Sequence, residues 1–286
     1  MAFTGHEITA ERIEQYAAKL KDDERAGNTV EKYVRDIRAF AKYLNGEPVT
    51  KENAVGWKNS LVQSRKATSV NSMLAAVNGY FEHAGLGIKV KQLRVQRGTF
   101  LPSESELTVA EYERLLGAAK RQGNERIRQV MQTLCATGIR VSELRYITAE
   151  AVQNGRAEVT NKGKTRTVLL PDELIKALSV YAKQRKIAGG SIFVTRNGKP
   201  VGRSNVWAEM KKLCAAAGVD GRKVRPHGLR SLFARTYYRA TKDIAKLADI
   251  MGHSDLRTTR IYIMETDAEH RRAINSLGLV KHFYGT

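Results

Sequence analysis

The chain has 286 residues, 42% of them apolar, which suffices for two modest domains with proper cores and excludes disorder as its ground state. It carries 49 Lys and Arg against 29 Asp and Glu, a formal charge of +20. Self-repulsion on that scale is best tolerated beside a polyanion, which puts nucleic acid ahead of an acidic membrane, a ribosomal partner or a merely basic soluble protein.

From the N-terminus, no apolar run of signal-peptide or membrane-spanning type occurs, so a soluble intracellular protein is expected. ITAERIEQYAAKL reads as a helix with Thr9 as N-cap and Ile13, Tyr16, Ala17 and Leu20 on one face. NTVEKYVRDIRAFAKYL sets Val30, Tyr33, Val34, Ile37, Phe40, Ala41 and Leu44 at helical spacing, with Lys32, Arg35, Arg38 and Lys42 opposite. VTKENAVGWKNSLVQ and TSVNSMLAAVNGYFEHAG complete a four-helix unit, assigned to residues 1–86.

Residues 87–106 contain Gly, Pro and no strong period, and hold Lys89, Lys91, Arg94 and Arg97 before their first acid, Glu104. They read as a basic interdomain linker. A second domain, 107–286, opens on a capping-box pattern at Thr108 and Glu111. Further helix leads to a turn at Gly138, and then the period changes. RAEVTNKGKTRTVLLP is two extended runs around a Lys-Gly turn, and SIFVTRNGKPVG carries an Asn197-Gly198 hairpin signal. Helices resume from Ser204. The expected fold is mainly α with a small antiparallel β-sheet in the C-terminal domain. Cys135 and Cys214 supply neither a disulfide framework nor a metal cluster, and fit a reducing cytoplasm.

Four stretches could carry chemistry. ATGIRVSELRYI places Arg140 and Glu143 three apart, so that Glu143 can hold Arg140 in one rotamer. NKGKTR sets Lys162 at a hairpin turn, with Lys164 an alternative because the register is open by a residue or two. RPHGLRSLFARTYY puts His227 and Arg230 in the first turn of a helix behind Pro226, a place that suits a phosphate; its apolar face is read as Leu229, Phe233, Thr236 and Tyr237. GHSDLRTTRIYI holds His253 and Tyr262, nine residues apart. Taken singly, these are a surface ion pair, a solvated loop, a helix cap and a packing tyrosine. Their joint occurrence, in this order and in a basic chain, is what gives them weight.

Together the four stretches resemble the tyrosine site-specific recombinases, the phage-integrase and Xer-like family. ATGIRVSEL matches its first arginine motif, NKGKTRTVLLP its hairpin lysine motif, PHGLRSLFART its His-x-x-Arg motif, and MGHSDLRTTRIYI its Gly-His and nucleophile motif. Ser231 stands where many relatives have a second histidine, and Met251 where Leu is common. The resemblance implies a catalytic domain and an N-terminal core-site DNA-binding domain. It implies a nucleophile, Tyr262, that forms a 3′-phosphotyrosyl bond without metal, ATP or other cofactor. Arg140 and Arg230 would bind the phosphate, Lys162 would protonate the leaving oxygen, His227 would take the tyrosine proton, and His253 would hydrogen-bond the phosphate. Glu143 would support Arg140.

The partners implied are a double-stranded core site with inverted repeats and three further protomers, exchanging strands through a Holliday junction in a nucleoid-associated, cytoplasmic tetramer. Leu277, Leu279, Val280 and Phe283 in the tail would dock on a neighbouring protomer or pack on their own domain. Lys32, Arg35, Arg38, Arg65, Lys66, Lys89, Lys91 and Arg94 are the candidate DNA contacts, on charge alone. The competing readings are a catalytically silent DNA-binding regulator and a type IB topoisomerase-like enzyme.

Overall fold

The computed structural model describes residues 6–95, 106–161, 163–262 and 267–279. The chain divides into two compact units, Met1–Arg97 and Gly98–Thr286.

The first unit is built from α1 (Ala10–Asp22), α2 (Gly27–Leu44), α3 (Lys51–Ser64) and α4 (Ala67–His83). Thr9 and Thr50 cap α1 and α3 by accepting backbone N–H bonds, which satisfies donors that a helix start leaves orphaned. α4 instead starts at Ala67 behind Lys66, with no side-chain cap. The apolar faces meet around Ile37, Phe40, Leu74 and Phe81, and Phe40 packs on Trp57 with ring centroids 4.9 Å apart. Beyond α4 the chain runs extended across the unit. Val90 exchanges two 2.9 Å bonds with the Asn78 amide, and Leu93 is held by Asn71. Buried Val90 belongs to this core, so the segment over residues 88–93 is a strap on α3 and α4.

The second unit contains α5 (Val109–Arg121), α6 (Glu125–Thr137), a 3-10 helix (Val141–Tyr146) and α7 (Ala149–Gln153). A hairpin of β1 (Arg156–Asn161) and β2 (Lys164–Leu169) follows, then α8 (Asp172–Gln184), α9 (Arg203–Ala217), α10 (Pro226–Thr241), α11 (Ile244–Met251), α12 (Leu256–Arg260) and α13 (Asp267–Ser276). The Thr108–Glu111 capping box is present. The strands pair antiparallel from Arg156↔Leu169 to Asn161↔Lys164. Ala157, Val159 and Val168 point into the main core, which Leu115, Met131, Leu134, Leu144, Leu178 and Leu229 fill.

Two expectations change. Around Asn197-Gly198 the chain forms an isolated bridge, Val194↔Pro200, and no paired strands, since Pro200 has no N–H to extend a ladder. On α10, Thr236 is exposed, and burial instead covers Leu229, Leu232 and Ala234. The reason is that the helix serves two clusters at once. Leu229 and Leu232 enter the main core, while Ala234, Phe233 and Tyr237 pack in a second one with Leu247, Met251 and Tyr262. No helix among the described residues is long and apolar enough to cross a membrane.

Gly138 ends α6 in the left-handed region, at φ 64°, and a Cβ there would collide with the Phe233 ring of α10. Both effects act on one residue. Gly138→Ala is expected to lower the unfolding free energy by about 3 kcal/mol, from backbone strain plus overpacking. Urea unfolding of the whole chain checks this; an unchanged midpoint would mean that neither the left-handed backbone nor the Phe233 contact constrains this position.

Candidate active site

Four segments converge in the second unit: the turn after α6, the hairpin, the start of α10, and the turn between α11 and α12. Gly138 reverses the chain, and Arg140 then stands as the residue before the 3-10 helix, with Glu143 in its first turn. The expected Arg140–Glu143 pair forms. The carboxylate accepts from the Arg140 backbone N–H at 2.8 Å and from its guanidinium at 3.1 Å. Glu143 is 1% exposed, yet the Arg140 side chain keeps 35% of its surface open.

Arg230 is the opposite case, a guanidinium buried to 2% exposure on the first turns of α10. It donates to the Gly138 carbonyl, to the Met251 carbonyl at 2.8 Å and to His253 Nε2 at 2.9 Å. A guanidinium has no acceptor, so His253 Nε2 must carry the lone pair. The ring proton therefore sits on Nδ1, which donates to Thr259 Oγ1 at 2.8 Å. Thr259 is fully buried on α12, and its hydroxyl can accept from the tautomer that Arg230 selects.

Tyr262 is 6% exposed and packs with Ala234, Leu247 and Met251. Its ring stacks on His253 at 5.8 Å between centroids with 12° between planes. Its hydroxyl lies 3.5 Å from His227 Nε2. A packing tyrosine and a hydroxyl aimed at a histidine are thus the same residue. Arg140, Glu143, His227, Arg230, His253 and Tyr262 all reach one site, while Lys162 lies outside the described residues. Lys164 is exposed on β2, on the same strand face as Arg166.

Sequence reading missed Arg166. It donates from both terminal nitrogens to Glu143, at 3.1 and 2.8 Å, and Asn161 of β1 adds a bond at 3.3 Å. The available signal was the alternation on β2, which puts a cation at 166 in step with buried Val168.

The charges set each other's protonation. Burial raises Glu143, but hydrogen bonds from Arg166 and the Arg140 backbone outweigh it and hold the carboxyl at about 2. Burial, then the like charge of Arg140, lowers Arg230 to about 10, still protonated at neutral pH. His253 falls to about 4 through burial, then Arg230, Arg140 and Arg166. His227 is also lowered, by desolvation of its ring and then by Arg230 and Arg225. The neutral His227 imidazole can accept a proton, and the guanidiniums can bind an oxyanion. Among the described residues no group of three His, Cys, Asp or Glu side chains is placed as metal ligands would be.

Of the candidate DNA contacts, Lys32 and Arg35 both bind the buried Asp36 carboxylate, Lys32 at 2.6 Å, and Lys32 also reaches the Ser72 carbonyl. Arg38, Arg65, Lys66, Lys89, Lys91 and Arg94 are exposed. Leu277 and Leu279 are exposed as well, whereas Val280 and Phe283 lie outside the described residues.

Residues 105–269 match the Phage integrase family, and residues 13–85 match the Phage integrase, N-terminal SAM-like domain. The chain is 31% identical to tyrosine recombinase XerD of Pseudomonas aeruginosa, covering 83% of this chain and 86% of that protein. It is 26% identical to tyrosine recombinase XerA of Pyrococcus furiosus, over 97% and 98% of the two. A solved lambda integrase dimer bound to a COC′ core site superposes with a TM-score of 0.71 at 18% identity, covering 91% of this chain and 79% of that one. XerH in a post-cleavage complex with palindromic difH gives 0.73 at 18%, covering 93% and 84%. At such identities the likeness to the solved structures is one of fold.

Removing the shared carboxylate, Glu143→Ala, leaves buried cations unpaired and should cost about 3–5 kcal/mol in urea unfolding; a loss below 1 kcal/mol would show that the cluster is not held by it. Glu143 is held below its ordinary 4.5, so its stabilisation is complete above that pH and is lost as pH falls through about 2. His253 is neutral in the fold below its ordinary 6.5, so acidification from 6.5 to 4 also destabilises. Ring-proton NMR should place the His253 midpoint near 4 and that of His227 below 6.5; a His253 midpoint at 6.5 or above would contradict the effect assigned to its burial and to the neighbouring arginines.

Proposed function

The chain belongs to the phage integrase family and is a tyrosine recombinase, a DNA strand transferase; from that premise we propose that it recombines DNA with Tyr262 as nucleophile, through a 3′-phosphotyrosyl intermediate and a Holliday junction. The observation that carries this reading is the Tyr262 hydroxyl, 3.5 Å from a neutral His227 and walled by Arg230 and His253.

In the proposed step, Tyr262 Oη attacks a DNA phosphorus and its proton passes to His227 Nε2. A phenol ionises near pH 10 on its own, so it needs that acceptor and the surrounding cations. Arg230 and Arg140 stabilise the charge on the non-bridging oxygens as the P–O5′ bond breaks. Arg230 is held rigid by three bonds, while the open face of Arg140 meets incoming DNA. The leaving 5′-oxygen takes a proton from Lys162, with Lys164 as the alternative donor. Rejoining is the reverse reaction, and the phosphotyrosyl bond conserves the phosphodiester energy. His253 accepts from Arg230 through Nε2, so donating to phosphate through that atom requires a second proton. The negative charge of a bound phosphate favours its uptake.

The first unit binds the core site, with Arg38, Arg65, Lys66, Lys89, Lys91 and Arg94 free to reach backbone phosphates and Lys32 and Arg35 sharing their charge with Asp36. The relatives solved on DNA, including a lambda integrase tetramer on a Holliday junction, support four protomers on paired inverted repeats. Exposed Leu277 and Leu279 support a tail that docks between protomers.

Incubation with nicked core-site DNA from sequence flanking the gene tests the chemistry. Wild type should give an SDS-resistant protein–DNA adduct, and Tyr262→Phe none, with unchanged affinity for the DNA. An adduct from the Phe variant would move the nucleophile elsewhere. Specific binding without adduct by wild type would favour the silent regulator, and relaxation without recombinant product the topoisomerase.

A further inference from the structure

We infer that Arg166 is a positioning residue for leaving-group protonation: it locks the β1–β2 hairpin, and so its lysine, onto the arginine and histidine elements of the site. This deepens the reading above and rests on the hairpin lysine being the general acid.

The geometry has three parts. First, Arg166 meets Glu143 as a two-pronged fork, one terminal nitrogen on each carboxylate oxygen. The same carboxylate takes the backbone and side chain of Arg140, and Asn161 from β1. Asn161 and Lys164 are the register partners that close the hairpin, and Arg166 is two residues on, on the Lys164 face. Both strands of the hairpin are therefore bound to the residue that orients Arg140.

Second, the Arg166 guanidinium lies against Gly252, the residue before His253. A Cβ at position 252 would fall 2.7 Å from Arg166 Cδ, 2.9 Å from Nε and 3.1 Å from Cζ. The glycine of this Gly-His pair is needed for its φ of 64° and also because the guanidinium occupies the space of a side chain. Third, Arg166 Nε is buried with no hydrogen-bond partner among the described residues, and the side chain is only 16% exposed. An unpaired buried donor is tolerated where packing dictates the position. Packing on the Gly252 turn does so here.

A turn lysine has four rotatable bonds on a two-stranded ribbon, and a two-stranded hairpin is marginally stable alone. Something must fix its tip to within an ångström of the phosphate site, since such a misplacement costs roughly 10²-fold in rate. Arg166 does this by joining the hairpin to Glu143 and to the His253 turn. It touches no reacting atom.

The test compares cleavage of the same nicked core-site DNA with oxygen or sulfur at the scissile 5′-bridging position. A 5′-thiolate leaves without protonation, so sulfur bypasses the general acid. Arg166→Gln is expected to cleave the oxygen substrate roughly 10²-fold slower than wild type and the sulfur substrate within about threefold of it. Arg166→Lys, which keeps the charge and loses the fork, should show the same pattern more weakly. The sulfur-to-oxygen rate ratio within one variant does not depend on how much of it is folded, so instability cannot mimic rescue. Lys162→Ala and Lys164→Ala run alongside, and one of them must be rescued by sulfur. If a lysine variant is rescued and both Arg166 variants are equally slow on both substrates, the positioning role is wrong and Arg166 acts on the fold or the phosphate. If neither lysine variant is rescued, the general-acid assignment itself fails and the inference falls with it.

Discussion

The carboxylate of Glu143 is the constraint on which the rest of the site depends. Three arginines from separate segments come together in a chain that already carries an excess of positive charge. Two guanidiniums 4 Å apart repel by about 4 kcal/mol at an effective dielectric near 20. One buried acid, accepting from Arg140 and Arg166 at once, offsets that repulsion and turns it into orientation. It does not neutralise the site. With both histidines uncharged, two positive charges remain in excess among these residues, the balance suited to the phosphate of the proposed reaction.

The same density of cations decides the protonation of the imidazoles. His253 is pinned between Arg230 and Thr259 in one tautomer, and adding a proton there means placing a fourth charge among guanidiniums. His227 is lowered for the same reasons, which leaves it free to accept. Burial of Arg230 is possible because backbone carbonyls on either side, Gly138 and Met251, satisfy its donors. That arrangement ties the end of α6 to the end of α11. Through Phe233 it also explains why a glycine stands at position 138.

The first unit uses the same device on a smaller scale. Asp36 is a buried acid on a cationic helix, and it pairs with Lys32 and with the still exposed Arg35. Lys32 also bonds the carbonyl of Ser72, so a residue that reads as a surface cation joins α2 to α4. In each unit one buried acid, Asp36 or Glu143, fixes the direction of neighbouring bases.

Much of this was legible in the sequence, because it is written in local periods. The hairpin register stays open by a residue or two until the strands pair, but the caps at Thr9 and Thr108, the turn at Gly138, the existence of the β1–β2 hairpin and the helical faces follow from residues within a turn or two of each other. So does the Arg140–Glu143 pair, whose members are three apart. Where a local signal met a nonlocal constraint it failed: Asn197-Gly198 suggested strands that Pro200 cannot sustain, and Thr236 had the spacing of a buried residue but lies outside both clusters. The sequence by itself determined the family, the order of the motifs and the residue types the chemistry needs. Only the tertiary structure decided that Arg166 shares Glu143 with Arg140 across 23 residues, that its guanidinium fills the space above Gly252, and that His253 carries its proton on Nδ1. Those facts depend on which side chains from distant segments compete for the same carboxylate and the same lone pair, and no period within the chain encodes that competition.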